Sequence, residues 1–178
     1  DVQKVEMKDE VPVGQLLINK KGEFLDSVTL IDKVKGVVEH IFNYITGNLS
    51  DVTFEVYAEE DIKAADGVSE DYYKADELIA TIKTDETGIA KLENLPLGKY
   101  YVKEIFAPDG FVTTEEIQEF TFEYAGEDQA EVSYVFTFEN QPTTVELTKT
   151  DLTTGKELPG AHLKVTDSDG NTVDEWTS

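Results

Sequence analysis

Apolar and polar residues alternate with a period of two along most of the chain, the mark of half-buried β-strands. The clearest run is residues 51–58, where Val52, Phe54, Val56 and Ala58 share one face and Thr53, Glu55 and Tyr57 the other. Residues 15–21 form a second strand, with Leu16, Ile18 and Lys20 against Leu17, Asn19 and Lys21; both faces are partly apolar, so alternation alone does not say which lysine is buried. Leu78, Ala80 and Ile82 make a third strand, the turn 85–88 follows, and residues 89–95 make a fourth. From Gly98 a further strand puts Tyr100, Val102 and Glu104 on one face and stops at Pro108-Asp109-Gly110, residue types that turn the chain. Phe120, Phe122 and Tyr124 alternate next. After a turn at 125–129, Val132, Tyr134, Phe136, Phe138 and Asn140 share one face of a strand ending at Gln141-Pro142. Turn signals recur every 8 to 12 residues or so, the spacing of sandwiches and barrels, so the fold class expected is an all-β sandwich.

Two stretches read less cleanly. Between Gly22 and Gly47, Val34, Val38, Ile41 and Ile45 fit helical spacing, while β-branching and Gly36 favour extended chain. That region is expected to be a long insertion with one strand near 37–45. Residues 59–76 are acidic and punctuated by Gly and Ser, and read as a solvated loop with room for a helical turn. At the start, Val5, Met7 and Asp9 alternate weakly before the Val11-Pro12-Val13-Gly14 punctuation, which suggests a strand and a boundary. After Pro142 the pattern restarts: Val145, Leu147 and Lys149 repeat the Leu16, Ile18, Lys20 series, and short strands at 163–165 and 172–176 flank a turn at 167–171. The expected organisation is residues 1–12 as the end strand of a preceding unit or a linker, 13–141 as a complete domain, and 142–178 as the N-terminal part of a second, truncated repeat.

Composition narrows the function. Among 178 residues there are 38 acidic and 15 basic side chains, a net charge of −23, which argues against nucleic acid and anionic membrane as partners. No apolar stretch is long enough to span a bilayer. Cysteine is absent, which excludes disulfides, thiolate metal sites and cysteine nucleophiles. Neither His40 nor His162 has carboxylates at metal-ligand spacing, and the 59–76 stretch lacks the Asp and Gly spacing of a calcium loop, so no metal or cofactor is expected. No pair of carboxylates stands out as a glycosidase would need.

The chemistry lies in Glu104. If the Tyr100 and Val102 face is the buried one, a carboxylate enters the core, where ionised and unpaired it would cost several kcal/mol. It must be protonated, paired or engaged in chemistry. Taken singly, a strand lysine usually snorkels to the surface, a strand glutamate points outward and a terminal asparagine caps its own turn.

The run V-E-L-T-K-T-D-L-T-T-G-K-E-L-P-G-A at 145–161, with L-P-L-G-K-Y-Y-V-K-E and A-P-D-G-F between residues 95 and 111, resembles the collagen-adhesin B-type, SpaA-type pilin domains of Gram-positive surface proteins. The resemblance implies a prealbumin-like, Ig-related β-sandwich. It implies further that a first-strand lysine joins a last-strand asparagine in an intramolecular isopeptide bond promoted by a glutamate. By motif these are Lys20, Asn140 and Glu104, with Lys149 the reactive lysine of the second repeat, unpaired here. Asp9 is a weaker candidate for the acceptor of a preceding domain. In the expected mechanism buried Lys20 and Glu104 exchange a proton, and the acid then hydrogen-bonds the Asn140 side-chain carbonyl. The function implied is a non-enzymatic stalk module of a cell-wall-anchored extracellular adhesin or pilus, with neighbouring repeats as partners. The alternative is an adhesin head binding matrix protein or glycan through the 22–50 insertion and the 59–76 loop.

Overall fold

The computed structural model describes residues 11–33, 37–126, 129–145, 149–166 and 170–177, without the side chains of 28 and 30–40. The expected strand at 1–11, and with it Asp9, lies outside the described residues, as do Leu147, residues 167–169 of the expected turn and the side chain of His40. By internal contacts the chain divides into two compact units, Asp1–Phe24 with Ile45–Pro142, and Leu25–Tyr44 with Thr143–Ser178.

The first unit is a two-sheet β-sandwich. In one sheet β1 (Val13–Lys33) lies between β5 (Ile89–Leu95), antiparallel to it, and β8 (Glu131–Asn140), parallel to it, while β2 (Val37–Asn48) also pairs with β1. The other sheet has the order β4-β3-β6-β7, formed by Leu78–Lys83, Thr53–Ala58, Gly98–Phe106 and Ile117–Phe122, all pairs antiparallel. The inward rows are those the alternation marks: Leu16 and Ile18 on β1, Phe54, Val56 and Ala58 on β3, Tyr100 and Val102 on β6, Phe120 and Phe122 on β7, and Phe138 on β8. The two inner faces close a single apolar layer, as sandwiches do.

Three departures from the sequence pattern have local causes. A register shift between Val56 and Tyr57 sets Leu78 opposite Tyr57 on the outer face, so Leu78 is exposed and Ile79 packs against the core instead. A one-residue irregularity inverts every side chain beyond it. In the 59–76 loop, read as solvated throughout, Ile62 and Ala64 are buried and Ile62 bridges Tyr73, which also packs on the core. The 22–50 region forms two long strand segments, the outer parts of β1 and β2, where one strand is expected.

Glycine is required where β5 begins. Gly88 has φ of +74°, its carbonyl accepts from the Lys20 N–H at 2.7 Å, and a Cβ there would lie 2.6 Å from the Lys20 carbonyl oxygen. The backbone at Lys20 is thereby pinned, and Leu49 N–H donates to the Lys20 carbonyl at 3.0 Å.

The second unit contains the antiparallel pair β9 (His162–Thr166) and β10 (Thr172–Thr177) and a turn in which Asp151 accepts from the N–H groups of Thr153 and Thr154. Within its segment Leu25–Tyr44, Asn43 Nδ2 donates to Thr29 Oγ1 at 2.9 Å. Lys149 is exposed.

Candidate functional site: a buried lysine, glutamate and asparagine

Each of the three side chains continues an apolar row. Lys20 follows Leu16 and Ile18 along β1, Glu104 follows Tyr100 and Val102 along β6, and Asn140 follows Phe136 and Phe138 along β8. Parallel pairing of β1 with β8 sets Lys20 beside Phe138 and Gly22 beside Asn140, and antiparallel pairing sets Glu104 beside Phe54 on β3. The pairing register therefore brings together residues 120 apart in sequence.

All three are enclosed: Lys20 is 1% exposed, Glu104 6% and Asn140 1%. Lys20 Nζ donates to Asn140 Oδ1 at 2.5 Å, Asn140 Nδ2 donates to Glu104 Oε1 at 2.7 Å, and Glu104 Oε2 lies 2.7 Å from Lys20 Nζ. That last contact is a buried ion pair, and Oε2 meets no further donor among the described residues. The cluster is a closed triangle in which the carboxylate presents one oxygen to the amine and the other to the amide nitrogen. Two rings wall it, with Nζ 5.4 Å from the centroid of Phe138 and 5.9 Å from that of Phe54. Burial lowers the Lys20 pKa below its ordinary value, and the neighbouring Glu104 offsets only part of this. In an apolar enclosure the ammonium is the disfavoured form.

The orientation of the amide differs from the expectation that Glu104 meets the carbonyl of Asn140. An ammonium can only donate and a carboxylate can only accept, so beside an ion pair the amide turns its oxygen to lysine and its NH2 to glutamate. The neighbouring polar residues stand apart. Lys103 is half-buried on the outer face, its Nζ 4.4 Å from the Tyr57 ring centroid, and Glu139 is exposed and accepts from Thr46. His162 pairs with Glu175 at the surface, and no metal-binding group of His, Asp and Glu occurs among the described residues. Tyr72 is exposed and Tyr73 is packing.

Thr84 went unnoticed in the sequence. It is buried, its hydroxyl accepts from Val52 N–H at 3.0 Å and donates to the Leu49 carbonyl at 2.9 Å, and it ties the segment that leaves β2 to the start of β3. A threonine at a strand end carries no signal of this.

The all-β sandwich of two sheets, with a lysine, a glutamate and an asparagine enclosed between them, is a prealbumin-like domain. The chain belongs to the SpaA family of prealbumin-like fold domains, whose model matches residues 44–136, more than half of the chain. The match includes Glu104 but neither Lys20 nor Asn140. Among solved structures, the Bacillus anthracis TIE protein is similar at 25% identity and a TM-score of 0.56, over 94% of this chain and 24% of that one. The minor pilin GBS52 of Streptococcus agalactiae matches at 20% identity and a TM-score of 0.47, over 80% of this chain and 50% of that one. The major pilin SpaD of Corynebacterium diphtheriae matches at 22% identity and a TM-score of 0.47, over 84% of this chain and 35% of that one. The chain thus spans about a quarter to a half of the length of these proteins. No curated protein sequence matches it.

Proposed function

We propose that this chain is a structural module of a Gram-positive cell-surface pilus or adhesin, stabilised by an amide that Lys20 and Asn140 form once. The observation that carries the reading is the enclosed triangle, in which the nucleophile, the leaving nitrogen and a proton carrier touch. Proton transfer from Lys20 to Glu104 replaces two buried charges by two neutral groups, which burial favours. The partners of the amide then exchange polarity: the acid donates and the amine accepts. A half-turn of the Asn140 amide satisfies both and sets the glutamic acid on the carbonyl oxygen, where negative charge develops.

The Nζ lone pair attacks Cγ, the Nζ–Cγ bond forms, the Cγ–Nδ2 bond breaks and ammonia leaves. Nζ gives up two protons in all; one goes to the departing nitrogen and one stays on Glu104, which ends as a neutral acid beside a neutral amide. No buried charge remains. Carboxamides are poor electrophiles, but effective molarities of about 10⁵ to 10⁸ M for well-oriented groups make a single slow turnover sufficient. The bond closes a loop of 120 residues, which in the chain-entropy treatment of cross-links stabilises by about 4 to 5 kcal/mol. Because β1 and β8 are adjacent and parallel, tension applied near Val13 and Asn140 loads the amide before the sheet can unzip.

This reading takes residues 13–141 as the cross-linked domain, 142–178 as part of the next repeat with Lys149 as its reactive lysine, neighbouring repeats as partners, and an extracellular, cell-wall-anchored location. No helix among the described residues is long and apolar enough to cross a membrane. Proteolytic mapping tests the chemistry: digestion should release a branched peptide joining the Lys20 and Asn140 segments, whereas separate linear peptides covering both residues would contradict it.

One observation favours a second reading, an adhesin head that binds matrix protein or glycan. In the segment Leu25–Tyr44, Ile41, Phe42 and Tyr44 are exposed, an apolar and aromatic surface that a purely solvated stalk does not need. Binding to immobilised matrix proteins or glycans that disappears in a Phe42→Ser, Tyr44→Ser variant would support it.

A further inference from the structure

The inward row of β1 continues past Lys20 to Gly22, which is buried and is the register partner of Asn140. No positive φ explains a glycine at this position; space does. A Cβ on Gly22 would lie 2.5 Å from Cε1 of Phe111 and 3.2 Å from Cδ2 of Leu49, so the Phe111 ring occupies the place of the missing side chain. The ring is delivered by the turn after β6, where Gly110 has φ of +91° and Phe111 N–H donates to the Pro108 carbonyl at 3.2 Å. The backbone that carries it pairs with the segment after Asn140: Phe111 bridges Pro142, and Val112 N–H donates to the Gln141 carbonyl at 3.0 Å. Phe24 meets its edge with centroids 5.1 Å apart. The ring thus fills the end of the core beside Gly22, whose register partner is Asn140, and the backbone pairing at Phe111 and Val112 ties down the segment that follows β8.

We propose that Phe111, seated in the socket left by Gly22, is a positioning residue for the cross-link: it closes the core end against water and so keeps Lys20, Glu104 and Asn140 in the arrangement from which the amide forms. The inference rests on the cross-linking reading above. With the ring gone, water reaches the ammonium and the carboxylate, the charged pair is stabilised, and less of the cluster is present as amine and acid. The neutral fraction falls about tenfold for each unit by which the lysine pKa rises.

The test follows ammonia loss by intact mass over time after cell-free synthesis of the full chain. Phe111→Ala should cross-link at least about tenfold more slowly than wild type, with Phe111→Leu in between. Gly22→Ala, which displaces the ring, should be slow too, yet add little in the Phe111→Ala background, because the two changes remove the same closure. In an Asn140→Ala background, where nothing can react, the Lys20 titration followed by NMR should move up toward that of an ordinary lysine when Phe111 is replaced. Equal rates in wild type and a folded Phe111→Ala or Phe111→Leu chain would overturn the inference while leaving the cross-link standing, as would additive effects of the two substitutions or an unmoved Lys20 titration. A wild-type chain that keeps its full mass overturns the cross-link reading and this inference with it.

Discussion

At the scale of the residue, a buried lysine gives up its proton more readily than a free one, and this has a sign that can be measured. In Asn140→Ala, Lys20 remains an amine with a lowered pKa. Below that value both native and unfolded chains carry the charge, and the cost of burying it is present in full. Between the lowered value and the ordinary one, about 10.4, the unfolded chain holds more protons, so stability rises with pH through that window. Denaturant midpoints of Asn140→Ala should climb across it, and those of Lys20→Met, Asn140→Ala should not; parallel curves would mean that Lys20 is hydrated in the native state. Glu104→Ala removes the partner that partly restores the lysine and strands a charge in the core, at about 3 to 5 kcal/mol. Residue types and strand parity made Glu104 and Asn140 legible, since each follows two apolar residues on its own face. Lys20 was not separable from Lys21 by alternation, because Leu17 is nearly as apolar as Leu16; only the motif distinguished them. Which way the Asn140 amide faces is set by the charges around it, and no sequence pattern encodes that.

At the scale of the element, β1 is the organising strand: it is flanked by β5 and β8, and its backbone at Lys20 is held from both Gly88 and Leu49. Thr84 secures the neighbouring connection with two side-chain hydrogen bonds in a site closed to water. Thr84→Val keeps the shape and leaves the Val52 N–H and the Leu49 carbonyl without that hydroxyl, so it should lower stability by about 1 to 3 kcal/mol; a midpoint equal to wild type in chemical denaturation would show that the connection relaxes onto other partners. The strands β3, β6 and β8 were legible because a clean period of two has only one reading. The misassigned places are those where the period breaks. Leu78 inverts at a bulge that depends on the partner strand, and Ile62 and Ala64 turn inward from a loop whose composition is acidic. Both outcomes depend on tertiary neighbours, which local composition does not describe.

At the scale of the whole molecule, the two units differ in what holds them. The first has two sheets closing on a continuous core; in the part of the second that follows Pro142 the described strands are a single antiparallel pair, and Val145 and Leu152 are exposed. Two strands alone are marginal in water. Limited proteolysis should therefore remove residues beyond Pro142 first and leave the first unit intact, and equal resistance on both sides of Pro142 would require a different division of the chain. The all-β class and the sandwich were legible from turn spacing. The extended form of the 22–50 region was only half legible, because its apolar residues fit helix and strand spacing alike. The central claim is covalent, and the intact mass of the folded chain under denaturing conditions tests it most directly. The wild type should weigh one ammonia less than its sequence, and Lys20→Ala, Asn140→Ala and Glu104→Ala should each weigh the full amount; a folded wild type at full mass, or a Glu104→Ala chain that still loses ammonia to completion, would contradict it.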